Sequence, residues 1–130
     1  MLDEEENIRI MDFGLSKSNL VSTMTSLGTV FGTLGYVAPE QITNVYVDER
    51  ADIFSLEVII FELATNQLPF KGENEIVLIH SIFNTIPSRP SEINSTLPKP
   101  LDSIVAKCLQ KEPGERYASA EELCVDLKKL

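Results

Sequence analysis

Basic residues and long apolar runs are both scarce in this 130-residue chain. Lys and Arg number 11 against 20 Asp and Glu, so the formal net charge is −9. Nucleic-acid and anionic-membrane surfaces need clustered cations, and this balance argues against both kinds of partner. The apolar run at residues 58–61 lies between Glu57 and Glu62, and no run in the sequence approaches the roughly 18 residues of a membrane span. The acidic N-terminus is also unlike a secretory signal.

Cysteine and histidine are also sparse, with two cysteines and one histidine. Cys108 and Cys124 both fall on apolar positions of predicted helices. This placement favours buried thiols in a reducing cytoplasm over a disulfide or a metal site. No second type of metal ligand is clustered beside His80, so we expect no metal there. The predicted location is therefore cytoplasmic.

The hydrophobic pattern predicts a mainly helical protein that begins with one strand. Residues 7–11 alternate as a short strand, and residues 15–33 form a long loop rich in Ser, Thr and Gly. A short helix is predicted at residues 39–42, with Pro39 at an early helical position. Residues 51–65 are apolar on every side, which predicts a helix at the centre of a core. Residues 87–100, rich in Pro and Ser, are predicted to connect helices without a core of their own.

Three further helices are predicted from residue spacing. On residues 75–83 the predicted buried face is Ile76, Ile79 and Phe83. A second helix follows from an amphipathic pattern formed by Leu101, Ile104, Val105, Cys108 and Leu109. The last helix begins at a capping box from Ser119 to Glu122. Its predicted apolar stripe is Ala120, Leu123, Leu127 and Leu130.

Four motifs follow one another in a specific order. They are Asp12-Phe13-Gly14, residues 32–40 (Gly-Thr-Leu-Gly-Tyr-Val-Ala-Pro-Glu), residues 52–55 (Asp-Ile-Phe-Ser) and residues 113–117 (Pro-Gly-Glu-Arg-Tyr). In this order and spacing they resemble the motifs of protein kinases over essentially the whole chain. Gln41 after Ala-Pro-Glu, and the phrase around Arg116, look most like the eukaryotic-type serine/threonine kinases of bacteria.

The resemblance implies a mainly α fold, the helical C-lobe of a kinase with a short N-terminal β-strand or hairpin and a long activation loop. Residues 1–11 would be the strand region, 12–40 the activation segment and 41–130 the helical C-lobe. The sequence contains no glycine-rich phosphate loop, strand lysine or catalytic loop. Lys107 follows a similar Ile-Val-Ala but lies inside the amphipathic helix. The N-lobe and catalytic loop are thus expected to be missing, with Met1 a candidate internal methionine of a longer kinase.

The same resemblance implies the residues of a catalytic site. Asp12 would be the catalytic carboxylate that holds Mg²⁺ against the ATP phosphates. Phe13 and Gly14 would complete this cofactor-binding motif, with the glycine permitting a change of backbone direction. Thr33 matches the threonine that contacts the catalytic loop and seats a Ser/Thr substrate. The implied cofactors are ATP and Mg²⁺.

The loop of the activation segment contains candidate regulatory phosphosites at Thr23, Thr25 and Thr29. A phosphate would add negative charge and pair with Arg. Thr25 and Thr29 fit the family best by their distance from Gly32. The alternative is that these are ordinary loop residues.

Other positions have structural roles in the resemblance. Glu40 and Arg116 would form a buried ion pair, and Asp52 would accept backbone N–H bonds from the catalytic loop. Glu57 and Asn66 both replace family glycines. The buried carboxylate of Glu57 would be costly, whereas Asn tolerates a left-handed turn.

The predicted function is that of a serine/threonine kinase, transferring the ATP γ-phosphate to a protein hydroxyl. The implied partners are a protein substrate and the missing N-terminal part of the kinase, and the fragment alone is expected to be inactive. Two alternatives stay open: a non-catalytic interaction module, and a truncated gene remnant, which Glu57 favours.

A complete kinase would cover one side of the central helix with a helix that this chain is expected to lack. The uncovered residues are predicted to come from Ile53, Phe54, Ile60, Phe61 and Ala64, and the sequence does not select among them. We therefore expect self-association or a partner that covers them.

Overall fold

The structure is a computed structural model that describes residues 31–43 and 45–130. This part contains α1 (Phe31–Leu34), α2 (Pro39–Thr43), α3 (Arg50–Thr65), α4 (Glu75–Asn84), α5 (Pro90–Ile93), α6 (Pro100–Cys108) and α7 (Ala120–Leu127), with a 3-10 helix at Pro113–Glu115. No strand occurs among these residues. The predicted mainly α fold is confirmed, while the strand predicted at residues 7–11 lies outside the described ranges. Within those ranges, every helix is too short or too polar to reach across a bilayer.

Helix α3 is the centre of the larger hydrophobic core and packs against α5 and α6. Phe54 and Phe61 are buried on it, and the Phe54 ring stacks on Phe70 with 5.8 Å between centroids. The helix ends at Asn66, whose backbone has the left-handed φ of 57°. The predicted central helix is confirmed, and Asn66 adopts the left-handed conformation that Asn tolerates.

The prediction of which α3 residues are uncovered was largely wrong. Ile53, Phe54 and Phe61 are buried, because α6, the segment around Phe70 and residues near the C-terminus cover them. The exposed residues are instead Leu56 and Ile59, each 44% exposed, and Leu63, 81% exposed. These three, here called the α3 stripe, lie on one face of the helix. Of the predicted set, Ile60 and Ala64 are half-buried.

The buried face of α4 also differs from the prediction. Ile76 is 79% exposed, while Leu78 and Ile82 are buried in the core. Of the predicted face, Ile79 packs against the core and Phe83 is half-buried, so the spacing identified the buried face only in part. Gly72 packs against the helix so closely that an added Cβ would clash with the Leu78 backbone nitrogen.

Helix α6 has the face that its pattern predicts, since all five predicted residues are buried. A second, smaller cluster joins α6 to α3 and α7. Its buried members are Ile53, Ile104, Cys108, Tyr117 and Leu123. The connection before α6 was predicted to have no core of its own, but it contributes to the larger core. It forms α5, Pro90 is buried, and Ile93 packs against that core.

Helix α7 matches its prediction only in part. The Ser119 side chain accepts the predicted hydrogen bond from Glu122 N, but the Glu122 carboxylate accepts from Ala118 N rather than from Ser119 N. Of the predicted stripe, Leu123 is buried and Leu127 half-buried, whereas Ala120 and Leu130 are exposed. Helix α7 therefore packs on the smaller core cluster mainly through Leu123, with Leu127 beside it.

The two cysteines differ in environment. Both are free thiols, but Cys108 is buried and Cys124 is exposed. The prediction that both are buried is thus wrong for Cys124, because its side of α7 faces solvent.

Candidate functional site

The most constrained polar contact joins α2 to the segment before α7. The Arg116 guanidinium donates to both Glu40 carboxylate oxygens, with N–O distances of 2.7 and 2.8 Å. Glu40 is 7% exposed and Arg116 4%. The structure therefore contains the buried ion pair that the resemblance implied, in the bidentate geometry that favours Arg over Lys.

Arg116 is also saturated by backbone carbonyls. Its Nε donates to Gln110 O at 2.9 Å, and its two terminal nitrogens donate to Arg50 O at 2.9 Å and Lys111 O at 3.1 Å. Together with the Glu40 bonds, these contacts use all five guanidinium N–H groups. One side chain thus connects α2, the start of α3 and the segment after α6. We call this arrangement the Arg116 anchor.

Aromatic rings line the anchor beneath its cations. The Arg116 guanidinium carbon lies 4.9 Å from the Phe54 ring centroid, and Lys111 Nζ lies 3.9 Å from that of Phe70. Lys111 Nζ also donates to Ile82 O at 2.6 Å. Burial, followed by repulsion from Arg116, lowers the pKa of Lys111 to about 8. The sequence reasoning missed Lys111, because a half-buried lysine bonded to a carbonyl has no sequence signature.

Thr33, the predicted substrate-seating residue, lies on α1 with its side chain exposed. Its carbonyl accepts from Tyr36 N at 3.1 Å. The Tyr36 hydroxyl in turn donates to a Glu62 carboxylate oxygen at 2.6 Å, and this bond raises the pKa of Tyr36. A residue of the Gly-Thr-Leu-Gly-Tyr motif is therefore tied directly to the central helix α3.

Asp52 lies in the first turn of α3 with an exposed side chain. An exposed carboxylate at this place is available to accept N–H bonds from another segment. Its role in holding a catalytic loop stays a prediction.

Glu57, on the same helix, is fully buried. Neither carboxylate oxygen has a hydrogen-bond partner of good geometry among the described residues. Burial raises the pKa of Glu57 to about 7, and the neighbouring Cys108 thiol opposes that rise. The Cys108 pKa is raised as well, first by burial and then by Glu57. The surroundings of Glu57 therefore favour its neutral form, which avoids the cost expected for a buried charge.

The remaining predicted site residues lie outside the described ranges. They are Asp12, Phe13 and Gly14, together with Thr23, Thr25 and Thr29. Among the described residues, no group of three or more His, Cys, Asp or Glu side chains is arranged to hold a metal ion. The described part therefore shows the anchor of the predicted activation segment but not its catalytic motif.

Comparison with known proteins extends these observations. Residues 1–126 match the protein kinase domain family. A probable serine/threonine-protein kinase of Clostridium perfringens is 33% identical over 100% of this chain, which covers 19% of that protein. Another from Streptomyces coelicolor is 35% identical over 98% of the chain and 19% of its own length. The serine/threonine-protein kinase PknL of Mycobacterium tuberculosis is 28% identical over the whole chain and 33% of its own length.

The chain thus spans about a fifth to a third of the length of these relatives. The relatives are bacterial and are named serine/threonine kinases, which confirms the predicted resemblance. The family match covers nearly every residue, including those of the Arg116 anchor, and the chain therefore belongs to the protein kinase domain family.

Proposed function

We propose that this chain is the activation segment and helical lobe of a serine/threonine protein kinase, which transfers the ATP γ-phosphate to a protein hydroxyl. The observation that carries the proposal is the Arg116 anchor, because it ties Glu40, at the end of the predicted activation segment, to the base of the lobe. In this division residues 12–40 are the activation segment and 41–130 the lobe. The relatives' shared name supports Ser and Thr as the substrate residues.

Protein kinases use ATP and Mg²⁺, whose charge neutralises the phosphates during transfer. In the proposal Asp12 supplies a carboxylate for Mg²⁺, a ligand type that this ion prefers. Phe13 and Gly14 set its direction, and Thr33 helps to seat the substrate hydroxyl. Phosphorylation at Thr25 or Thr29 would add charge to the segment that the anchor holds.

The proposed partners are a protein substrate and the rest of a complete kinase. The α3 stripe supports the second partner, because Leu56, Ile59 and Leu63 form one exposed apolar face on the central helix. A helix from the rest of the kinase would bury that face. The free thiols of Cys108 and Cys124 support the proposed cytoplasmic location, where thiols stay reduced.

A chimera tests the proposal directly. Residues 1–130 replace the matching segment of the Clostridium perfringens relative, to which the chain aligns over its full length. We expect the chimera to transfer ³²P from labelled ATP·Mg²⁺ to Ser or Thr of a generic protein substrate. The chain alone should show no transfer above background, since its sequence contains no catalytic loop or strand lysine.

Two variants of the chimera serve as controls. Asp12→Ala should abolish transfer, whereas Asp3→Ala, in the acidic run near the N-terminus, should leave it unchanged. A chimera that folds cooperatively but transfers no phosphate would contradict the proposal and favour a non-catalytic interaction module. Transfer by the chain alone, lost in Asp12→Ala, would contradict the expected dependence on the missing parts.

A further inference from the structure

Glu57 occupies the contact between α3 and α6, where apolar side chains enclose its carboxyl group. It follows Ile53 by four residues, so both side chains lie on the same face of α3. Ile53 belongs to the smaller core cluster together with Ile104 and Cys108 of α6. The carboxyl group therefore faces that cluster, fully buried, and neither oxygen has a hydrogen-bond partner of good geometry among the described residues.

The charged groups of the surrounding elements are engaged elsewhere. Arg116 has all five donors in use, and Lys107 of α6 pairs with a carboxylate of α7 at 3.0 Å. The Tyr117 hydroxyl also donates to a carboxylate of α7. On α5, Glu92 is exposed and accepts from Arg89 N. Among the described groups, only the Cys108 thiol acts on Glu57.

We propose that Glu57 is a proton-linked switch: its carboxyl group is neutral while α3 and α6 are closely packed, and its ionisation loosens this contact together with the Arg116 anchor. The path between the two sites is short. Cys108 ends α6, and Gln110, two residues later, accepts from Arg116 Nε. Phe54, which lies beneath the Arg116 guanidinium, precedes Glu57 by one helical turn. Separation of α6 from α3 therefore displaces groups that hold Arg116.

The direction of the pH effect follows from proton binding. The Glu57 carboxyl has an ordinary pKa of 4.5 in the unfolded chain and about 7 in the folded one. Between these values the folded chain holds a proton that the unfolded chain has released to solvent. The free energy of unfolding contributed by Glu57 therefore falls as pH rises from about 4.5 to about 7 and is constant above that. Asp48, Glu122 and Asp126 have lowered pKa values, so their contributions change below this window.

Cys108 provides a reporter for the opening of this contact. We would measure the rate at which a thiol reagent labels it in the full 130-residue chain, with Cys124→Ser removing the exposed thiol. Rates are compared between this protein and the same protein with Glu57→Gln, from pH 5.5 to 8. At each pH the thiol chemistry of the opened state is shared, so the ratio of rates reports opening alone. Lys111, whose pKa is about 8, also loses its proton toward the upper end of this range, but it is present in every variant and its effect cancels in the ratio.

The ratio compares the labelling rate of the protein that retains Glu57 with the rate of the Glu57→Gln variant. We expect this ratio to rise roughly tenfold or more across the pH range, because only the first protein has a carboxyl that ionises there. The matched control is Glu73→Gln, an exposed carboxylate before α4, which should leave the rate unchanged at every pH. His80 is present in all three proteins, so its contribution cancels. A ratio that is constant with pH would overturn the proposal.

A second measurement needs no substitution at Glu57. The carboxyl carbon of Glu57, followed by NMR in the unsubstituted chain, should titrate with a midpoint near 7, and a midpoint near the ordinary 4.5 would overturn the proposal. The Arg116 Nε–H signal should shift with the same midpoint. If Glu57 titrates as expected while the Arg116 signal stays fixed, the link between the switch and the anchor is wrong.

Discussion

Two carboxylates are buried in the part of the chain that the structure describes, and their surroundings are opposite in kind. Glu40 faces a guanidinium that donates to both of its oxygens. Glu57 is enclosed by apolar residues, and among the described residues no group donates to it with good geometry. The first is paired with a cation and connects distant segments, while burial raises the pKa of the second and favours its neutral form. A buried acid in one small core can thus be accommodated either by pairing or by a proton.

The same contrast shows which carboxylate is replaceable. Removing a partner from a satisfied buried pair leaves an uncompensated charge, whereas removing an unpaired buried acid relieves a cost. The two sites lie close together, since Arg116, the partner of Glu40, contacts the ring of Phe54 on α3, one turn before Glu57. Differences between them therefore arise from pairing rather than from different depths in the fold.

The largest expected effect is the loss of the Arg116 anchor. Arg116→Ala should lower the free energy of unfolding by about 3–5 kcal/mol, because Glu40 would remain buried without a cation. Urea denaturation followed by circular dichroism measures this change. Lys107→Ala is the control, since its partly exposed pair with Glu122 is screened by solvent and should contribute little. Equal effects of the two substitutions would contradict the expectation that the buried ion pair contributes more to stability than the exposed one.

Substitution of Glu57 should have the opposite sign. Ionising a carboxyl whose pKa is about 7 instead of 4.5 costs about 3 kcal/mol, at about 1.4 kcal/mol per pKa unit. Glu57→Met fills a similar volume without charge and should raise the melting temperature at pH 8. Glu57→Gly should also stabilise the fold, but by less, because Gly costs roughly 1 kcal/mol in a helix relative to Ala. A clear drop in melting temperature for both would show that Glu57 is paired in solution.

A purely steric perturbation separates the effect of charge from that of packing. Gly72→Ala should destabilise the fold by about 1–3 kcal/mol at every pH, since its Cβ would clash with the Leu78 backbone. Gly114→Ala is the matched control, because an added Cβ there meets no atom within 4 Å. Thermal melts of both variants at pH 5.5 and 8 test this. A pH-dependent cost for Gly72→Ala would mean that the effects at Glu57 do not report its charge.

The smallest effect on stability is expected on the exposed side of α3. Replacing the α3 stripe residues Leu56, Ile59 and Leu63 with Gln should change the free energy of unfolding by less than about 0.5 kcal/mol per site. The same change should reduce the self-association and dye binding that this apolar face produces in the isolated chain. Light scattering and dye fluorescence measure both, with Ile76→Gln on α4 as an exposed control. A monomeric, dye-free parent chain would show that the stripe is already covered.

Much of this fold follows from short-range sequence signals. The α6 face, the Asn66 terminus of α3 and the early proline of α2 were predicted from spacing and from local backbone preference. The Glu40–Arg116 contact was predictable only through the motifs, because 76 residues separate the two side chains. The buried faces of α3 and α4 could not be fully predicted, because both helices have apolar residues on several sides and tertiary packing decides which of them are buried. The carbonyl partners of Arg116 and Lys111 likewise depend on the folded backbone.

One pair of conservative substitutions distinguishes stabilisation by pairing from stabilisation by a proton. Glu40→Gln and Glu57→Gln remove the same charge from two buried sites while keeping the side-chain shape. The free energies of unfolding, measured by urea denaturation at pH 8, should move in opposite directions. Glu40→Gln should be destabilised because Arg116 loses its counter-charge, and Glu57→Gln should be stabilised because no ionised acid remains buried. A change of the same sign in both variants would contradict the account.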